Sequence, residues 1–254
     1  MLDLLVTRLR QGRRTLKYPA APAPPLPERF RGAPRLAPCP SSDDCGGCAA
    51  ACPTGALALE SGPRIDLGRC LFCGECETAC AGRAIEFTRE HRLAARTRAD
   101  LLSDGGPTKL AEAVEARTRA LFGRSLRLRQ VSAGGCNACE ADANVLGTVV
   151  WDMGRFGIQF VASPRHADGL LVTGPVTENM KAALLKTYEA VPDPKLVIAS
   201  GACAIAGGPY AAGPETNAGI GDLLPVDLYV PGCPPHPLTL LDGLLRLLGM
   251  KLSR

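Results

Sequence analysis

Cys70, Cys73, Cys76 and Cys80 are spaced C-x2-C-x2-C-x3-C. That spacing wraps three thiolates of one short loop around an iron–sulfur cube and sends the fourth to a neighbouring cluster. A second group lies just upstream at Cys39, Cys45, Cys48 and Cys52, and a third is dispersed as Cys136, Cys139, Cys203 and Cys233. These three sets of four account for all twelve cysteines of the 254-residue chain. The chemistry they imply is one-electron transfer. A zinc ribbon also uses C-x2-C pairs, but it has no use for a third cysteine in the same loop and a fourth four residues on.

The first two groups form an internal repeat. Cys45, Cys48 and Cys52 map onto Cys73, Cys76 and Cys80 with one constant shift of 28 residues. The tails correspond as well, Pro53-Thr54-Gly55-Ala56-Leu57-Ala58-Leu59 to Ala81-Gly82-Arg83-Ala84-Ile85-Glu86-Phe87. Each half reads as a cysteine loop, a short helical turn and a strand-like tail, and two such halves resemble the bacterial-type ferredoxin with two [4Fe-4S] clusters. The same shift puts the counterpart of Cys70 at Ser42, so the missing corner falls to Cys39, in C-x5-C-x2-C-x3-C; Ser42, Asp43 or a three-iron cluster are the alternatives. The crossover of the fourth ligand assigns Cys39, Cys45, Cys48 and Cys80 to one cluster, and Cys70, Cys73, Cys76 and Cys52 to the other.

The elements that must position these groups follow from composition and pattern. With 46% hydrophobic but only 4% aromatic residues, aliphatics and alanine fill the interior. A net charge of +4 is too mild to argue for nucleic acid. No stretch approaches the roughly 18 uninterrupted apolar residues of a spanning helix. A secreted disulfide framework would need an export signal. Arg13-Arg14-Thr15-Leu16-Lys17 superficially resembles a twin-arginine signal, but Tyr18-Pro19 and Pro22, Pro24, Pro25 and Pro27 follow in place of an apolar core. The expectation is a cytoplasmic chain with reduced, metal-binding thiols.

Leu2, Leu5, Val6 and Leu9 recur at helical spacing with Arg8, Arg10, Arg13, Arg14 and Lys17 among or after them. Such a basic amphipathic helix suits a membrane surface, a partner, or a capping role within the chain. Residues 19–27 read as an extended proline-rich connector. Residues 1–30 then form the helix and connector, 31–90 the cysteine repeat, 91–125 a helical linker and 126–254 a second domain. The linker's helix is expected near 108–122, between Gly105-Gly106-Pro107 and Gly123. Strands are expected at Leu126–Val131, Ile158–Val161, Gly169–Val172, Leu196–Ala199 and Val226–Val230, with helices near 140–153, 178–190 and 237–250. This alternation argues an α/β domain with a mainly parallel sheet.

That topology gives the dispersed cysteines a common address. Cys136, Cys203 and Cys233 each follow a strand, and ligands of open parallel sheets bind at the carboxyl ends of strands. The loops are glycine-rich, at Gly134-Gly135, Gly201, Gly207-Gly208 and Gly232, so backbone amides can approach cluster sulfurs. Simple burial of free cysteines and a structural zinc are the competing readings.

A family likeness resides in these same loops. Gly135-Cys136-Asn137-Ala138-Cys139-Glu140, Arg155-Phe156-Gly157, Ala162-Ser163-Pro164-Arg165-His166-Ala167-Asp168, Val172-Thr173-Gly174-Pro175-Val176-Thr177 and Val230-Pro231-Gly232-Cys233-Pro234-Pro235 resemble one superfamily. It joins the small electron-transfer subunit of [NiFe] hydrogenases with its relative in respiratory complex I. The likeness runs over residues 124–254 and implies a flavodoxin-like fold holding the [4Fe-4S] cluster nearest the partner's active site. The pair Cys136-x2-Cys139, where complex I subunits present adjacent cysteines, resembles the membrane-bound, energy-converting hydrogenases of formate hydrogenlyase type. Lys17-Tyr18-Pro19, Phe30-Arg31-Gly32 and Gly68-Arg69-Cys70-Leu71-Phe72-Cys73-Gly74 resemble the ferredoxin-like subunit of those complexes, here fused to the other.

The fold class expected is therefore an α+β bacterial-type ferredoxin domain followed by an α/β flavodoxin-like domain with a mainly parallel sheet. The resemblance implies a non-catalytic electron-transfer subunit with three [4Fe-4S] clusters. Its implied partners are a [NiFe] hydrogenase-type large subunit, membrane-arm subunits and an upstream electron donor, at the inner face of the cytoplasmic membrane. Three four-cysteine clusters leave no thiol for a nickel site, and Gly219-Ile220-Gly221 lacks the third glycine of a dinucleotide fingerprint. Glu140, Arg155, Arg165 and His166 are candidates for proton relay or tuning. Their plainer readings are a carboxylate at a helix N-terminus for Glu140, loop-holding arginines, and structural hydrogen bonds for His166 and for His236. The rival functions are a complex I-like subunit whose partner lacks nickel, and a ferredoxin fused to a structural zinc module.

Overall fold

The 28-residue repeat is written into the backbone. A computed structural model of the chain describes residues 2–38, 46–60, 62–81, 83–112 and 125–250. Among them, helix α1 (Leu2–Gln11) is followed by β1 (Pro34–Leu36), α2 (Gly47–Ala50), β2 (Leu57–Ala58), β3 (Arg64–Asp66), α3 (Glu75–Thr78), β4 (Ile85–Phe87) and β5 (Leu102–Ser103). The short helices α2 and α3 stand one repeat apart and bury Cys48 and Cys76 respectively. Leu57 of β2 pairs with Ile65 of β3, and its counterpart Ile85 of β4 pairs with Leu36 of β1, both antiparallel.

Beyond residue 125 the elements are β6 (Leu126–Ser132), α4 (Ala138–Val145), β7 (Ile158–Phe160), β8 (Gly169–Thr173), α5 (Glu178–Glu189), β9 (Leu196–Ser200), α6 (Ala202–Ala206), β10 (Leu228–Val230) and α7 (Pro237–Leu247). The five strands form one sheet in the order β7-β6-β8-β9-β10, with every neighbouring pair parallel. Counted from β6 this is the 2-1-3-4-5 winding of flavodoxin-like folds, with its switch point between β6 and β8. Every residue of β8 and β9 is buried, as expected of a parallel sheet covered on both faces. Leu170 and Val172 join one core with Leu184 of α5, while Leu171 joins the other with Leu240, Leu241 and Leu244 of α7.

Two expectations change. The helix expected over 140–153 stops at Val145. Thr148, Val149 and Val150 are poor helix formers just past Gly147, and Asp152 takes left-handed backbone (φ 46°) before a 3-10 turn at Met153–Phe156. The expected helical linker is not helical at residues 108–112; the rest of that stretch, 113–124, lies outside the described residues. Upstream, the segment joins the two halves. Ala95 exchanges backbone hydrogen bonds with Tyr229 of β10 (3.0 and 2.9 Å), and a few residues later β5 pairs with β3. Its alanines serve close approach, not helix propensity: Ala94 is fully buried, and a Cβ on Gly243 of α7 would stand 2.7 Å from its methyl. One continuous apolar core accordingly runs from Ile65, Leu67 and Leu101 to Val172 and Ala199.

The proline-rich stretch is anchored at its start. Tyr18 is buried, and its hydroxyl donates to Asp242, a fully buried carboxylate in leucine-rich α7. The second Asp242 oxygen accepts from Arg246 Nε at 2.7 Å. Arg155 donates to the Tyr18 carbonyl (2.7 Å) and the Leu16 N–H to the Val150 carbonyl (2.8 Å). Burial, then the hydrogen bond to Asp242, raises the Tyr18 phenol far above its ordinary value. His91 packs edge-on to Tyr18 with ring centroids 5.8 Å apart.

This buried polar link can be probed from both ends. Tyr18→Phe removes a hydrogen bond to a charged acceptor and should lower the melting temperature by roughly 4–8 °C, from about 2 kcal/mol lost. Arg246→Met, which leaves the buried carboxylate half-paired, should cost more, about 3 kcal/mol. Burial also holds the His91 and His236 imidazoles below the ordinary value of about 6.5. The folded chain thus binds fewer protons than the unfolded one below that pH, so stability is lost as pH falls through about 6.5. Thermal melts at mildly acidic and neutral pH should show a smaller loss for His91→Gln than for the native chain.

Candidate functional site

Four thiols meet at the carboxyl edge of the sheet. Cys136 lies between β6 and α4, Cys139 in the first turn of α4, Cys203 in α6 directly after β9, and Cys233 just past β10. Cys203 is buried, Cys139 partly so, and Cys136 and Cys233 are exposed. Burial pushes the Cys139 thiol far up, and the negative fields of Glu140, Cys203, Cys233 and Cys136 add to it. Cys203 is pushed up to about 11 by burial, then by Cys233, Cys136 and Glu140. Three connections distant in sequence thus place four thiols within one another's electrostatic reach. Gly201 makes room for this: it adopts φ +93°, and a Cβ there would lie 2.6 Å from Cys139 Sγ.

A second group forms in the cysteine repeat. Cys70 is pushed up to about 12, chiefly by burial and further by Cys76, Cys52 and Cys73, against one N–H that Phe72 donates to its sulfur at 3.3 Å. Cys76 is pushed up to about 11 by burial, Cys52 and Cys73. Burial also acts to raise Cys52, but hydrogen bonds from the Thr54 and Ala56 amides outweigh it and hold this thiol below its ordinary value. The structure thereby brings Cys52 to Cys70, Cys73 and Cys76. The repeat extends to the sulfurs, since Ala56 N–H donates to Cys52 Sγ and Ala84 N–H to Cys80 Sγ, each at 3.2 Å. Cys39, Cys45, Ser42 and Asp43, on which the remaining group depends, lie outside the described residues.

The two groups are neighbours. Cys233 is raised by burial first, then by Cys136 and by Cys73 of the other group. Beside Cys233 lies a cleft of about 270 Å³, lined by Leu71 and Phe72 of the second cysteine loop, by Pro231 and Pro234, and by Arg29, Arg31 and Asp142. Phe72 reaches it from a left-handed backbone (φ 54°), with its ring edge-on to Phe87 at 6.0 Å. No pattern in the sequence announced this contact, which depends on how the halves dock.

The donor set fits an iron–sulfur group. Buried thiols that repel one another as thiolates ionise together only when a cation compensates, so metal uptake must release their protons. Among the described residues no three His, Cys, Asp or Glu side chains converge enough to hold a single metal ion.

The relay candidates divide. Glu140, in the first turn of α4, is buried and accepts from the Thr173 hydroxyl at 2.6 Å. Arg155 is turned to the Tyr18 carbonyl and stacks 4.6 Å from the Phe156 ring, so it holds a loop. Arg165 and His166 sit in a 3-10 turn before β8, at the amino end of the sheet, roughly 13 Å of strand from the edge bearing the cysteines. Motif membership suggested a site role, but strand direction places these two at the other end. His236 Nδ1 accepts from the Leu238 N–H (3.1 Å), a structural bond at the start of α7.

Fold and site together describe a flavodoxin-like α/β protein whose strand edge carries four cysteines. The chain belongs to the NADH ubiquinone oxidoreductase, 20 kDa subunit family, whose model matches residues 136–247 and with them all four of these cysteines. It is 42% identical over 142 residues to the probable membrane-bound hydrogenase subunit mbhJ of Pyrococcus furiosus, covering 56% of this chain and 85% of that protein. It is 42% identical over 127 residues to formate hydrogenlyase subunit 7 of Escherichia coli, half of each chain. It is also 44% identical over 114 residues to an NADH-quinone oxidoreductase subunit of Heliobacterium modesticaldum, 44% of this chain and 65% of that one.

Gly201→Ala should displace Cys139 and lower the metal content of the purified chain. Gly221→Ala, where a Cβ meets nothing within 4 Å, should leave it unchanged. Elemental analysis of the two variants compares them directly.

Proposed function

We propose that the chain is the iron–sulfur electron-transfer subunit of a membrane-associated [NiFe] hydrogenase complex. In this reading residues 31–90 are a two-cluster, ferredoxin-like domain and 126–254 a one-cluster domain facing the large subunit. The observation that carries it is the adjacency of two four-cysteine groups, with the field of Cys73 falling on Cys233. Cys52, Cys70, Cys73 and Cys76 would hold one [4Fe-4S] cluster and Cys136, Cys139, Cys203 and Cys233 another; Cys48 and Cys80, with Cys39 and Cys45, would hold a third. Bound there, such clusters supply one-electron redox chemistry at potentials set by the residues around them.

This chain's own contribution is positioning and electrostatics. The Phe72, Ala56 and Ala84 amides donate to Cys70, Cys52 and Cys80, which favours the reduced state of what those sulfurs bind. Leu71, Phe72, Pro231 and Pro234 line the cleft beside Cys233 together with the charged Arg29, Arg31 and Asp142. The segment around Ala95 and β5 ties the halves together and fixes their spacing. Peripheral association through partner subunits accords with relatives named as membrane-bound hydrogenase and formate hydrogenlyase subunits; no helix among the described residues is long and apolar enough to cross a membrane.

A complex I-like subunit whose partner lacks nickel is the second reading, favoured by the likeness to the NADH-quinone oxidoreductase relative. The separated pair Cys136-x2-Cys139 argues for the hydrogenase reading instead. Purification with native partners decides between them: a co-purifying large subunit that contains nickel is the expected result, and one lacking nickel would sink the hydrogenase assignment. Iron and acid-labile sulfide should each reach about twelve per chain, from three cubanes of four. About eight irons and one zinc would point to a ferredoxin joined to a zinc module.

A further inference from the structure

Helix α1 has no buried residue. Leu2, Leu5, Val6 and Leu9 occupy positions i, i+3, i+4 and i+7, one continuous stripe, and Leu9 is 82% exposed. Arg8 and Arg10 flank that stripe on either side, where long side chains can lie along apolar material and keep their charge at its surface. Where the helix ends, the chain turns back and forms a groove of about 420 Å³. Arg8, Arg13, Arg14, Lys17 and Arg155 line it, with Asp152 as the one carboxylate. None of the five cations makes an ion pair among the described residues. Val149, 68% exposed, stands at the same groove.

We propose that α1 and this groove dock on an anionic membrane surface, the leucine stripe entering the interface while the groove receives lipid phosphodiester headgroups. The charge balance favours this occupant. A protein interface would match cations with carboxylates in fixed pairs, whereas a headgroup layer offers diffuse negative charge beside hydrocarbon, and this surface offers diffuse positive charge beside exposed leucine. The groove is held to the folded body on its far side: Leu16 bonds Val150, and Arg155 bonds Tyr18, whose hydroxyl reaches Asp242 of α7. Docking of α1 would therefore set the orientation of the sheet domain relative to the bilayer, whatever the cysteines bind.

Co-sedimentation of the full, metal-loaded chain tests it, with vesicles of phosphatidylcholine alone and with an equal part of phosphatidylglycerol. The anionic vesicles should bind at least about tenfold more tightly, and added salt should erase the difference. Arg13→Glu with Arg14→Glu should remove the preference for anionic lipid, and Leu5→Asp with Leu9→Asp should abolish binding to both vesicle types. Metal content and melting temperature of both variants should match the parent, since the substituted residues are exposed. Equal binding to neutral and anionic vesicles would overturn the proposal. So would displacement by millimolar inorganic phosphate, which would assign the groove to a free anion, or no binding to any vesicle, which would assign the stripe to a protein partner.

Discussion

Sulfur crowded into poorly solvated surroundings is the constraint on which the rest of this molecule depends. A thiol buried as Cys70 is, pushed up to about 12 with Cys76, Cys52 and Cys73 adding to its load, stays protonated at neutral pH in the metal-free chain. The same holds at the sheet edge, where Cys203 and Cys139 share one electrostatic neighbourhood with Cys233 and Cys136. Only a compensating positive centre lets such sets ionise together. What the backbone offers these sulfurs is amide donors at Cys52, Cys70 and Cys80, and a glycine where any side chain would collide with Cys139.

Delivering thiols to two neighbouring places takes two different strategies. In the cysteine repeat, short spacing does the work, because a loop of a few residues curls its own sulfurs together. In the parallel sheet, direction does it: β6, β9 and β10 all point the same way, so their outgoing connections converge although Cys136 and Cys233 are far apart in the chain. The two strategies meet because residues 93–103 belong to both halves, adding backbone beside β10 through Ala95 and a strand beside β3 through β5. That double membership turns two cysteine arrangements into a pair at fixed separation.

A second, smaller dependence runs through Asp242. A carboxylate placed among the leucines of α7 is costly unless both oxygens are satisfied. Arg246 supplies one partner from the same helix, and Tyr18 supplies the other from the opposite end of the chain. The polar cost in the core thereby becomes a specific attachment point, and α1 is presented at a defined place on the sheet domain.

Much of this was legible without coordinates. The C-x2-C-x2-C-x3-C run, the shift of 28 residues and the apolar runs at Gly169–Thr173 and Leu196–Ser200 are local patterns, and local patterns govern local geometry: which residues curl, which extend, and which thiols a strand end carries. The docking of the halves was not legible. Ala94 is small because α7 passes against it at Gly243, and Tyr18, just ahead of the proline-rich connector, is an anchor; nothing in the local sequence marked either contact. Arg165 and His166 share a motif with the site loops, yet strand direction puts them at the far end of the sheet. Residue types and spacing were enough to group Cys70, Cys73 and Cys76 in one loop and to place Cys136, Cys203 and Cys233 after strands. That Cys73 comes within electrostatic reach of Cys233 follows from the packed chain alone, because proximity across a domain contact depends on how two surfaces fit, and no single stretch of chain encodes that fit.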